Sequence, residues 1–347
     1  MTPMSIMEQE ARQAPKIIAN QLQANYAILT DLCRRLKKSE PGFAVTVARG
    51  SSDHAANFAK YLFESQLNLV TASAAPSVTT LYKSQLKLKN SLVMGFSQSG
   101  QSPDVCEMME MARKQGAITV AMVNHENSPL AQAAEYVIPL LAGEEVAVAA
   151  TKSYLASLAG IVNLVAIYKE DAALKVALAQ LPELLEQALS CDWTPALEAL
   201  KPVSDSLIVA RGYGFPIAQE AALKLKETCA LHAEAFSSAE IMHGPLALIG
   251  ANFPVMLFAQ EDESLPGILE LSHSMTELGG HTILALPKNI ECTTASKVLI
   301  DLPPSLHPLL DPLMTIQAFY PMAAKLSQAR GLNPDHPQNL SKVTKTL

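Results

Sequence analysis

Short apolar runs along this chain alternate with stretches in which apolar residues recur every three or four positions. That alternation predicts strands interleaved with helices. Phe43 to Val47, Leu92 to Phe96, Ala117 to Val123 and Tyr136 to Leu140 read as buried strands, and Val70 to Ala72 as a weaker one. Ile17, Ile18, Leu22, Tyr26, Leu29, Leu32 and Leu36 recur at helical spacing, so residues 1–40 read as helix, ended by Glu40-Pro41-Gly42. Strands that alternate with helices imply a parallel sheet covered on both faces, a three-layer α/β fold.

The second half repeats the first. Val47-Ala48-Arg49-Gly50 returns as Val209-Ala210-Arg211-Gly212, 162 positions on. Val93-Met94 with Phe96 and Gln98 returns at the same offset as Val255-Met256 with Phe258 and Gln260, and Ile138-Pro139-Leu140 as Ile300-Asp301-Leu302. Three matches at one offset point to a duplicated unit. The chain then divides into a helical segment over 1–40, an α/β domain over 41–171, a helical connector over 172–199, a second α/β domain over 200–330 and a tail over 331–347.

Between the strand at 92–96 and a helical pattern through Val105, Met108, Met109 and Ala112 lies Ser97-Gln98-Ser99-Gly100-Gln101-Ser102-Pro103-Asp104. A turn from strand to helix presents free backbone N–H groups and the positive end of a helix dipole. Serines and a glycine there either cap the helix or hold an anion such as a phosphate. The second copy carries Ala259, Glu261, Asp262 and Glu263 instead, which repel a phosphate. The contrast favours anion binding by the first copy and one composite site per chain.

Candidate reactive groups lie in the second copy. Glu220, Lys224 and Glu227 fall at spacings that share one helix face. Spacing alone fits a solvated row of ion pairs. The neighbours Ala221, Ala222, Leu223 and Leu225 point instead to a largely buried helix, where a carboxylate can act as a general base. Downstream, Gly244-Pro245 makes a turn that puts His243 on a loop, where a surface histidine is the plain alternative to a functional one. The proline-rich tail ends in Leu340-Ser341-Lys342, and a lysine on such a tail can swing into a site.

Composition narrows the class. The chain has 347 residues, 49% hydrophobic and 5% aromatic, so the cores are built from Ala, Leu, Val and Met. A net charge of −7 argues against a dedicated nucleic-acid binder. Met1 to Gln9 shows no basic and apolar leader pattern, and Leu155 to Tyr168 is too short to span a bilayer. Five scattered cysteines without a CxxC pair fit reduced thiols in the cytoplasm, and the eight histidines show no metal-ligand spacing.

These residues resemble the sugar isomerase (SIS) family over nearly the whole chain, and within it the isomerase half of glucosamine-6-phosphate synthase. The resemblance runs through Met7-x-x-Glu10, Gly50-Ser51-Ser52, Ser97 to Ser102, Glu145 to Lys152, Ala222 to Glu227, His232-Ala-Glu234, His243 to Ile249 and Asn339-Leu340-x-Lys342. It implies two tandem SIS domains, each a three-layer, flavodoxin-like α/β unit, and a homodimer with shared active sites. It assigns Ser52, Ser97, Gln98, Ser99 and Ser102 to the sugar phosphate and neighbouring hydroxyls, and the Val148 backbone to the sugar. Glu227 becomes the base between C1 and C2, His243 the ring-opening residue of the neighbouring subunit, and Lys342 the amine that meets the carbonyl. Lys224 lines the same site. Ala150 and Met242 depart from the synthase pattern, which carries serine and lysine there.

The synthase opens with a glutaminase domain whose nucleophile is a cysteine at position 2, where this chain has Thr2. The tail Leu340 to Thr346 is similar to that of stand-alone glucosamine-6-phosphate deaminases. The resemblance therefore implies a metal-independent amino sugar phosphate deaminase that needs no cofactor and releases ammonia by hydrolysis. A galactosamine-6-phosphate deaminase/isomerase, a fructosamine-6-phosphate deglycase and a non-catalytic sugar-phosphate sensor remain the alternatives. The first 40 residues carry no basic recognition helix, which disfavours the sensor.

Overall fold

The computed structural model describes residues 3–292 and 294–342. The chain forms two compact units. The first comprises Lys16–Glu145, Lys152–Ala179 and the chain from Ser341, and the second comprises Met1–Pro15, Val146–Thr151 and Gln180–Leu340.

The helical segment is broken into α1 (Ile6–Ala11), α2 (Ala14–Ala24) and α3 (Tyr26–Ser39), where the periodicity predicts a single helix. Pro15 sits in the first turn of α2, where its missing N–H costs nothing, and Ser5 caps α1 through the Glu8 N–H. The first sheet follows in chain order: β1 (Phe43–Val47), α4 (Ser51–Gln66), β2 (Thr71–Ser73), α5 (Ser77–Thr80), β3 (Ser91–Ser97), α6 (Pro103–Lys114), β4 (Ile118–Val123), α7 (Pro129–Ala133) and β5 (Tyr136–Pro139). The helices α8 (Lys152–Tyr168), α9 (Ala172–Ala188) and α10 (Thr194–Leu200) come next. Then come β6 (Asp205–Ala210), α11 (Phe215–Cys229), β7 (His232–Ser237), β8 (Pro254–Phe258), α12 (Leu265–Glu277), β9 (His281–Pro287), β10 (Val298–Leu302) and α13 (Asp311–Ala329).

Both sheets are parallel throughout. The first runs β2-β1-β3-β4-β5 and the second β7-β6-β8-β9-β10, the same order of equivalent strands. Alternation along each strand sorts the side chains into two layers. Val45, Val47, Val93, Ala121 and Val123 form one core with Val105, Met108 and Met109 of α6 and Leu130 of α7. Met122, of opposite parity, reaches α8 beside Gly160. In the second unit Leu207, Val209, Val255, Leu257 and Leu284 pack with Ile268, Leu271 and Met275 of α12. On the other face Phe258 meets Phe319 of α13 edge to face, with ring centres 6.4 Å apart.

One buried charge bears on stability. Asp311, fully buried in the first turn of α13, accepts the Glu261 N–H at 2.8 Å, while its Oδ1 has no hydrogen-bond partner among the described residues. Burial pushes its carboxyl up to about 7, outweighing the Glu261 N–H that favours the charged form. A carboxyl whose value is higher in the fold than in the unfolded chain costs stability as pH rises toward the folded value. Asp311→Asn keeps an acceptor for that N–H and has no charge to bury. In urea titrations the variant is expected to gain on wild type as pH rises from about 4 to 7, by up to about 4 kcal/mol. A difference that does not change with pH would remove Asp311 from the pH dependence of stability.

Candidate active site

In the first unit, β1 and β3 are neighbours in parallel register, with Val47 opposite Gly95, so the turns that follow them lie side by side. Ser52 stands in the first turn of α4 after β1, and Ser97 ends β3. The Ser97 hydroxyl accepts the Gly100 N–H at 2.9 Å, and the Ser99 hydroxyl accepts the Gln101 N–H at 3.3 Å. Ser102 occupies the N-cap position of α6 without a capping bond from its side chain, which leaves its hydroxyl available to a ligand. Gly100 has φ +65°, and a Cβ there would collide with the Ser128 hydroxyl and lie 2.5 Å from Ser128 Cβ. Only glycine fits this turn.

Arg49, at the end of β1, reaches across to Asp104 in the first turn of α6. Its guanidinium meets Asp104 Oδ2 at 3.0 and 2.5 Å, and Asp104 Oδ1 accepts the Val105 N–H. This bridge ties the two turns together. It also spends the arginine charge on a buried carboxylate, so the loop offers neutral donors: hydroxyls, backbone N–H groups and the start of a twelve-residue helix. Sequence reading missed the pair because its members lie 55 positions apart. In the second copy Arg211 bonds the Ser237 hydroxyl instead, and the loop after β8 closes on itself through Gln260, Asp262 and Ser264.

The row on α11 is buried, which decides against the solvated-face alternative. Lys224 and Glu220 are fully buried, whereas Glu227 is 23% exposed. The apolar surroundings expected around Glu227 thus belong to Glu220. The Lys224 ammonium lies 2.5 Å from Glu227 Oε2 and 3.4 Å from Glu220 Oε1, and the Tyr320 hydroxyl of α13 donates to Glu220 Oε1 at 3.3 Å. Burial alone lowers the lysine's value, but the two carboxylates outweigh it and hold Lys224 above the usual ammonium range. The result is a line of polar groups, Tyr320, Glu220, Lys224 and Glu227, whose last carboxylate meets solvent with a cation against it. Nothing in the local sequence marks Tyr320 as its far end. Glu220 and Tyr320 are 100 positions apart.

His243 closes a short 3-10 turn, Glu240–His243, and is exposed. Gly244 follows with φ +146°, and Met242 and Leu248 beside it are each 56% exposed. Val148 lies on a loop of the second unit held from two sides. Its N–H donates to the Asp335 carbonyl at 3.1 Å, and Glu10 accepts the Val146 and Ala147 N–H groups. Asp335 also takes the Ile6 and Met7 N–H groups at the start of α1. Met7-x-x-Glu10 is therefore the motif that fixes this loop.

Lys342, in the first unit, sits against Glu145, with Nζ 3.0 Å from Oε2. Val343, Thr344, Lys345 and Thr346, which extend the tail resemblance, lie outside the described residues, as does Thr2. The site residues read from the sequence are thus gathered as the serine loop with Ser52, the α11 row, and Lys342 on Glu145, while Val148 and His243 occupy loops of their own. Among the described residues no helix is long and apolar enough to cross a membrane.

The chain is 31% identical over 352 aligned positions to a glutamine–fructose-6-phosphate aminotransferase (isomerizing) of Thermococcus kodakarensis, covering 97% of this chain and 57% of that protein. It thus spans little more than half the length of this relative, the part that is the isomerase half. A candidate phosphosugar isomerase of Silicibacter pomeroyi superposes with a TM-score of 0.89 at 36% identity, over 95% of this chain and all of the other. The C-terminal domain of glucosamine-fructose-6-phosphate aminotransferase from Francisella tularensis shares the fold, with a TM-score of 0.86 at 24% identity over 97% and 99% of the two chains. The SIS domain pattern matches residues 41–167 and 202–297, one stretch for each sheet, and the chain belongs to the SIS domain family.

Proposed function

We propose that the chain is an aldose–ketose isomerase of amino sugar phosphates that works as a glucosamine-6-phosphate deaminase. One observation carries this reading: Glu227 is a partly exposed carboxylate with a buried ammonium 2.5 Å away, fixed on a helix by a second carboxylate. Such a group can take a proton from carbon and return it to the neighbouring carbon.

In the proposed reaction Ser52, Ser97, Gln98, Ser99 and Ser102 hold the phosphate and neighbouring hydroxyls, and the Val148 backbone borders the sugar. His243 opens the pyranose. Glu227 removes the C2 proton of the open aldose and delivers it to C1. The amine-bearing C2 then becomes an imine, and water converts it to the C2 ketone of fructose 6-phosphate with release of ammonia. Lys224 balances the charge that Glu227 loses and regains, and Lys342 acts at the carbonyl. The acidity of the C2 proton comes from the adjacent carbonyl, so this chemistry needs no cofactor or metal.

The names carried by the relatives support the isomerisation and the phosphosugar. Burial pushes Cys33 up to about 12 and Cys106, Cys191 and Cys229 up to about 11, as for inert thiols. The five free cysteines also support a reducing, cytoplasmic setting. The exposed His243 turn, with Met242 and Leu248 beside it, supports a homodimer in which His243 serves the partner's sugar.

The test is to incubate the protein with glucosamine 6-phosphate and measure ammonia and fructose 6-phosphate together. Equal yields of both are expected. Isomerisation without ammonia, or a clear preference for galactosamine 6-phosphate, would replace this assignment. Ser99→Ala combined with Ser102→Ala is expected to raise KM at least about tenfold and to leave kcat within about threefold, because a phosphate is bound alike in ground and transition states. An unchanged KM would place the phosphate elsewhere.

A further inference from the structure

Glu145 is a fully buried carboxylate, and its surroundings specify what it holds. Its Oε1 accepts the Ser153 N–H at 3.2 Å, and its Oε2 accepts the Ser153 hydroxyl at 2.7 Å. Ser153 is the second residue of α8, so the carboxylate sits where a helix N-terminus favours negative charge. A buried carboxylate gains from a cation brought against it. Lys342 is brought to 3.0 Å from Oε2 from 197 positions away in sequence.

The tail before Lys342 behaves differently. Gln338, Asn339, Leu340 and Ser341 are all exposed, and Asn339 turns the chain with φ +63°. Lys342 is then drawn back so that only 23% of its side chain is exposed. Its aliphatic stem and its charge are both partly withdrawn from water, in a stretch whose other side chains are not.

We infer that Glu145 is the positioning residue of Lys342: it docks the tail and holds the amine in the place from which it meets the substrate carbonyl. The inference rests on the proposed role of Lys342, and its test includes a readout that needs no turnover.

Trypsin cleavage between Lys342 and Val343 measures docking directly. In Glu145→Gln this cut is expected to be at least about fivefold faster than in wild type, because the tail opens without its charge partner. An unchanged rate overturns the positioning role, whatever the substrate proves to be. If the enzyme reading fails but the cut accelerates, only the role at the carbonyl is lost. With turnover in hand, Glu145→Gln is expected to lower kcat about 10²-fold with KM nearly unchanged, as for a misplaced reacting group. Lys342→Met changes the pair at its more exposed end, where the fold is not at risk. It is expected to match that loss, with the double variant no worse than either single one. Additive losses would show that the two residues act separately and would overturn the inference.

Discussion

Glu227→Gln is expected to bind the sugar phosphate with nearly wild-type KM and to lose about 10²–10⁴-fold in kcat, the usual contribution of a positioned base. The amide copies the shape of the carboxylate and still offers an oxygen toward Lys224, but it cannot accept a proton from C2. The fold should survive, because Lys224 keeps Glu220 3.4 Å away and the altered side chain is the one member of the row in contact with solvent. Solvent deuterium appearing at C1 of the product measures the proton transfer itself, and its rate should fall with kcat. A variant that exchanges as fast as wild type would assign the base elsewhere. The same variant tests the shared site. Mixed under subunit exchange with His243→Ala, it is expected to regain activity toward about half of wild type per mixed dimer, since one site then carries both lesions and the other neither. Verified exchange without recovery would place His243 in its own chain's reaction.

What the sequence reveals about this chain follows the range over which a pattern acts. Strand boundaries were legible because each strand is an apolar run with turn residues at its ends: Phe43 to Val47 is β1 as read, and Val70 to Ala72 differs from β2 by one position. The repeat was legible because three matches kept one offset, and the two sheets share one strand order. The serine loop was legible from its place between strand and helix.

Burial of charge was not legible. Glu220, Lys224 and Glu227 have the spacing of an exposed ion-pair row, and what removes the first two from water is α13, which packs against α11 from about a hundred positions away. Arg49 with Asp104 and Glu145 with Lys342 are likewise pairs made by topology, and no local spacing encodes them. The single helix expected over 1–40 failed for a related reason. The spacing from Ile17 to Leu36 carries across Asn25, whereas the backbone ends α2 at Ala24 and starts α3 after Asn25, and α2 itself begins beside Pro15.

Lys224→Met is expected to cost about 3–5 kcal/mol of stability near pH 8, the range for breaking a buried ion pair. Methionine is close to lysine in length and fills the space, so the loss is electrostatic rather than a cavity. In wild type the row is balanced. The lysine is held above its ordinary range in the fold, so its contribution is complete below about pH 10 and is lost only as pH rises through the folded value. Removing it leaves Glu220 fully buried beside Glu227, with the Tyr320 hydroxyl at 3.3 Å. Burial and the neighbouring carboxylate then both oppose a negative charge there. The sign follows from linkage. A carboxyl raised in the fold costs nothing while both states are protonated, and its cost grows as pH climbs toward the folded value. Urea midpoints should therefore lie close to wild type near pH 5 and fall progressively behind it toward about pH 8. Adding Glu220→Gln removes the stranded charge and should restore most of the loss at the higher pH, a coupling between neighbours that independent sites do not show. A defect of equal size at both pH values, or one that Glu220→Gln leaves untouched, would mean that Lys224 stabilises α11 through its aliphatic stem and that its charge is idle in the fold.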